Sequence, residues 1–107
     1  MSDQEWLEAT LAKCQETPGP LRTPCMVWKG RSLSKQYPMC HRKGKYGSRH
    51  RFVWQIVSRM MGRPEPSGRY AVHHVCENPS CLNPGHLEAL SYWQHWHTHF
   101  RPAATAQ

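Results

Sequence analysis

Phe52, Val53, Ile56, Val57, Met60 and Met61 recur at i, i+1, i+4, i+5, i+8 and i+9, which lays one apolar stripe along a helix over residues 49–61. Gly62 and Pro64 end it. A second helix is expected over residues 3–15, where Trp6, Leu7 and Leu11 share a face and Ser2 with Glu5 has the form of a capping box. Thr17-Pro18-Gly19-Pro20 breaks it. Elsewhere the pattern is that of short strands. Cys25-Met26-Val27-Trp28 reads as a strand ended by Gly30. Tyr37 to His41 and Lys45 to Ser48 flank Arg42-Lys43-Gly44, a hairpin with glycine at its turn. Tyr70 to Val75 is β-prone, and Leu87 to Leu90 can pair with it across a loop, residues 76–86, rich in Cys, Asn, Pro and Gly. Ser91 is a good N-cap for a last helix over residues 92–100.

These elements make a small α+β chain of 107 residues, with room for one domain and little core. Such a chain needs a staple, and a structural metal is one. Trp28, Trp54, Trp93 and Trp96 are assigned to the core for want of much else to bury. The five cysteines are an odd count, and no basic-then-apolar leader opens the chain, so the thiols are expected as metal ligands or buried groups in a cytoplasmic protein. No apolar run is long enough to cross a membrane.

Charge changes the picture further. The net charge is +7, and residues 29–69 hold eleven Lys and Arg against one acid, Glu65. A cationic block of that kind is the footprint of a polyanion binder. Arg42, Lys43, Lys45 and Arg49 are the candidate phosphate contacts, with His41 and His50 in the same block. The competing reading is a solvated basic face with no partner.

The chemistry is concentrated in one segment, His73-His74-Val75-Cys76-Glu77-Asn78-Pro79-Ser80-Cys81-Leu82-Asn83-Pro84-Gly85-His86-Leu87-Glu88. Four residues separate Cys76 from Cys81, and four separate Cys81 from His86. Two thiolates and an imidazole on a tight loop suit tetrahedral zinc, and the prolines and Gly85 bend the chain as a loop around an ion requires. On spacing alone the fourth ligand is open between Cys25, Cys40 and Cys14.

The run His74-x-Cys76-x4-Cys81-x-Asn83-Pro84-x-His86-Leu87-Glu88 resembles the zinc-binding form of the HNH endonucleases (the ββα-metal or His-Me finger superfamily), as in phage HNH proteins and the His-Cys box homing endonucleases. Upstream, Cys25-Met26-Val27-Trp28-Lys29-Gly30, Tyr37-Pro38 and His50-Arg51 resemble further family positions, so the likeness covers about residues 22–100. It implies a small ββα-metal domain with a zinc-bound loop, preceded by a β-hairpin and a helix. On that plan residues 1–21 are an N-terminal helix and linker, 22–101 the nuclease domain and 102–107 a tail. It implies His74 as general base, and Cys25, Cys76, Cys81 and His86 as ligands of structural Zn²⁺, with Asn83 organising the loop. It also implies His95 as ligand of a catalytic ion, Mg²⁺ or Mn²⁺, at a position where the family often has Asn. His99, one helical turn on, is the second candidate for that ion. His97 points away on that helix, and His73, on the opposite strand face from His74, is an outer candidate.

Phosphodiester hydrolysis needs an activated water, neutralisation of charge at phosphorus, and help for the leaving oxygen. A neutral imidazole, a divalent ion and an arginine, Arg51 or Arg49, can supply these. The expected activity is therefore DNA endonuclease, acting alone, as a homodimer, or within a larger nuclease or packaging complex. The alternative is a non-catalytic zinc-stabilised DNA-binding module. A zinc deaminase is excluded because no cysteine follows His86, and a secreted disulfide framework fails on the odd cysteine count.

Overall fold

The structure, a computed structural model, describes residues 2–32, 37–66 and 68–92. Helix α2 (Arg49–Met60) is the element on which the others pack. Val53 and Ile56 on it are almost wholly enclosed, and with Trp54 they meet Leu7, Trp28, Val72, Leu82 and Leu87 in one core. The buried face runs through His50, Val53, Trp54 and Ile56, displaced from the stripe read in the sequence. Met60 and Met61 are exposed, because the last turn of α2 extends past the core. Gly62 ends the helix as expected. With φ +73° it lets its own N–H reach the Arg59 carbonyl and the N–H of Arg63 reach that of Ser58.

The first helix, α1 (Asp3–Ala12), is shorter than the periodicity suggests, although its Ser2–Glu5 capping box is present. The chain turns at Lys13, and Cys14–Thr17 forms a strand, β1, that no pattern announces. β1 pairs antiparallel with β2 (Cys25–Trp28), with Cys14 opposite Trp28. The expected hairpin is present as β3 (Met39–Arg42) and β4 (Lys45–Ser48). Lys43 (φ 51°) and Gly44 (φ +80°) make its two-residue turn, left-handed at both positions. β5 (Tyr70–His74) pairs with β6 (Leu87–Ser91), Tyr70 facing Ser91 and His74 facing Leu87. The described residues thus hold three separate two-stranded sheets. The helix expected over residues 92–100 lies outside the described residues, as do Trp93 and Trp96. No described helix is long and apolar enough to cross a membrane.

Candidate active site and metal centre

The loop between β5 and β6 is held at both ends. The N–H of Val75 donates to the His86 carbonyl, closing its mouth. The N–H of Leu82 donates to the Met26 carbonyl and that of Trp28 to the Ser80 carbonyl, so β2 borders the loop as a further strand would. That pairing brings Cys25 in. The sulfurs of Cys25, Cys76 and Cys81 and a ring nitrogen of His86 lie within 4.8 Å of one another, all four residues buried. Cys40 sits on β3 and Cys14 on β1, outside the group.

The cluster fits a tetrahedral ion. His86 Nδ1 is 3.5 Å from Cys81 Sγ and 3.7 Å from Cys25 Sγ. Ligands of tetrahedral zinc stand about 3.6 Å apart on a sulfur–nitrogen edge, given the usual bond lengths. His86 Nε2 is 2.7 Å from the Thr23 hydroxyl, an outer contact that turns Nδ1 inward. Burial, followed by the neighbouring thiols of Cys76 and Cys81, pushes the Cys25 thiol up to about 12, and burial raises Cys81 as well. Three crowded thiols have a physical reason to be together when a cation replaces their protons. Asn83 organises the loop, its side-chain amide donating to the Pro24 carbonyl and its carbonyl oxygen accepting from the Gly85 N–H. A Cβ on Gly19 would come within 2.9 Å of Cys25 Sγ, so only glycine passes there without displacing the thiol.

His74 closes β5 directly before this loop and is buried. Its Nε2 is 3.1 Å from the Cys81 carbonyl oxygen. A carbonyl only accepts, so Nε2 carries the hydrogen and Nδ1 the lone pair. Burial drives its pKa down to about 4, against the opposing pull of the Cys81 carbonyl. The ring is neutral at pH 7. It lines a cleft of about 620 Å³ with Tyr37, His50, Arg51, Tyr70 and His73.

Arg51 reaches this cleft from α2, its Nη1 donating to the Tyr70 carbonyl at 2.8 Å and its guanidinium lying 4.1 Å from the Tyr70 ring centre. His73 also lines the cleft, at a position paired with Glu88 on β6. His95 and His99 lie outside the described residues. The basic residues divide. Lys43 and Lys45 are exposed on the hairpin. Arg42 is ion-paired with Asp3 and only 9% exposed, and Arg49 lies 4.0 Å from the centre of the Trp28 ring with its Nε buried. These two arginines spend their charge inside the fold.

Two site residues escape a reading of the loop alone. The His50 ring lies 4.2 Å from that of His74, and Tyr37 stands nearly parallel to His74 at 6.2 Å. His50 had a signal, since with Val53, Trp54 and Val57 it falls at i, i+3, i+4 and i+7 of α2. Burial first, then His74, lowers its pKa to about 3.

Residues 48–95 match the HNH endonuclease family model. The HNH match begins at Ser48, which precedes α2, and takes in Arg51, β5 with His74, the loop of Cys76, Cys81 and His86, and β6. It covers three of the four clustered residues and reaches His95, while Cys25 comes from outside it. The HNH resemblance read from the loop is therefore present both in sequence and in the Cys3His cluster of the fold. No curated protein and no solved structure matches the chain.

Proposed function

We propose that this chain is a metal-dependent endonuclease that hydrolyses DNA phosphodiester bonds with His74 as general base, built around a structural zinc. The observation that carries the reading is His74 itself: a neutral imidazole at a strand end, Nε2–H anchored on the Cys81 carbonyl, Nδ1 without a hydrogen-bond partner among the described residues, on the wall of a cleft inside the HNH match.

Cys25, Cys76, Cys81 and His86 would hold the zinc, which ties β2 to the loop and so fixes the carbonyl on which His74 rests. In the reaction His74 Nδ1 takes a proton from water as the water oxygen bonds to phosphorus. The bond from phosphorus to the sugar oxygen breaks, and that oxygen leaves with a proton from solvent, giving one phosphate end and one hydroxyl end. Arg51 stabilises the added negative charge from the cleft wall. His95, with His99, would hold a divalent ion, Mg²⁺ or Mn²⁺, which would supply charge neutralisation at the phosphate. Lys43 and Lys45 on the hairpin attract the phosphate backbone.

The test is nicking of supercoiled plasmid with Mg²⁺ and with Mn²⁺, wild type against His74→Ala at matched zinc content. Removal of a general base lowers rate by about a hundredfold to ten-thousandfold. Equal cleavage by the two proteins would remove His74 from the role. A wild type inert with every divalent ion would leave a DNA-binding module.

A further inference from the structure

We propose that His50 is a positioning residue for His74, its ring setting the rotation that keeps Nδ1 of His74 turned to the cleft. The inference rests on the reading of His74 as the base.

A histidine ring turns about its Cβ–Cγ bond, a broad and soft torsion. Nε2 lies nearer that axis than Nδ1 does. The hydrogen bond from Nε2 to the Cys81 carbonyl restrains the rotation through one contact at the ring's far end. A second contact against the ring narrows it further. His50 supplies it, with centroids 4.2 Å apart and planes at 50°. It comes from the first turn of α2. Tyr37 completes a triangle of rings, 5.5 Å from His50 and 6.2 Å from His74.

His50 is also an uneconomical choice for packing alone. It is 7% exposed, and its Nδ1 is buried with no hydrogen-bond partner among the described residues. A buried acceptor without a donor destabilises a fold, and Phe or Leu would fill the same volume without one. What the site needs from this position is a flat ring beside His74, which Leu would not supply.

Two substitutions separate the ring from the polarity of the side chain. His50→Gln keeps polar atoms but has no ring. His50→Phe keeps a ring and has no polar atom. With zinc content and thermal midpoint measured for each, His50→Gln is expected to lower kcat about tenfold to a hundredfold, the scale of a misplaced reacting group, with KM for DNA unchanged. His50→Phe should recover most of that loss. The double variant His50→Gln/His74→Ala should be no slower than His74→Ala alone, because His50 acts through His74. Crystal structures should show His74 in more than one ring orientation in His50→Gln and in one in His50→Phe. A single orientation in His50→Gln overturns the proposal, as does full activity of His50→Gln, or a double variant slower than His74→Ala by the whole His50→Gln factor. The wild-type arm is separate: if it cleaves nothing with any divalent ion, the base reading itself fails.

Discussion

The two ends of this molecule are held by different physics. At the loop end, Cys25, Cys76, Cys81 and His86 converge from two distant chain segments, and Thr23, Asn83 and the backbone of β2 satisfy the groups around them. At the hairpin end, α1 meets β3 and β4 mainly through charge and rings. Asp3 faces Arg42, Lys43 and Arg59, and the Arg42 and Arg49 guanidiniums lie 5.1 and 5.9 Å from the centre of the Trp6 ring. One end depends on a buried cluster of metal-ligand side chains and on hydrogen bonds of fixed direction. The other depends on attraction that salt weakens. The proposed base sits at the first kind of end, where a displacement of the carbonyl that orients it would be resisted most strongly.

The comparison is broken most forcefully at the Cys3His cluster. Cys81→Ser should leave the chain unfolded, because structural zinc in small domains contributes about 10–16 kcal/mol of apparent binding free energy that is also folding free energy. Circular dichroism with metal analysis checks this, and a folded, zinc-free variant would show that the core suffices. A milder change at the same end is Thr23→Val, which removes the hydroxyl partner of His86 Nε2. Zinc affinity should fall by about tenfold to a hundredfold, read by competition with a chelator. The smallest effect belongs to the other end. Asp3→Asn should lower stability by about 0.2–1 kcal/mol at low salt and by less in 1 M NaCl. The hydrogen bond from Arg42, then that from Lys43, holds the Asp3 carboxyl below its ordinary value of 3.8. Its contribution is thus fully present above pH 3.8 and is lost as pH falls through the lower, folded-state value. Thermal melts of the two proteins should converge in strong acid. A gap that persists there, or that ignores salt, would give Asp3 a role other than charge.

How far the sequence could be read follows from the same division. The loop ligands are legible because they are local: Cys76, Cys81 and His86 carry their spacing with them. Cys25 could not be chosen over Cys40 by spacing, because what selects it is the pairing of β2 with the loop, a contact between residues far apart in the chain. β1 was hidden for a related reason. Cys14-Gln15-Glu16-Thr17 is mostly polar and makes its strand only by lying against β2. The basic block announced a polyanion binder, but charge counts do not say which arginines an acid or an indole will claim. Arg42 and Arg49 were claimed by Asp3, Trp6 and Trp28. The apolar stripe of α2 omits His50, which is buried, and includes Met60 and Met61, which are exposed, because apolarity alone does not mark a buried imidazole or the end of the core.

The bordering of the loop by β2 has a topological consequence. Cys25 and Cys76 lie about fifty residues apart, so a metal that joins them closes the hairpin, α2 and β5 into one ring of chain, and such closure removes most from the freedom of the unfolded state when the ring is long. Within that ring a single cut would not part the two pieces. A protease acting between α2 and β5, around Pro64 or Glu65, would leave a nicked particle whose halves share one ion, and they would separate only when a chelator opened the ring.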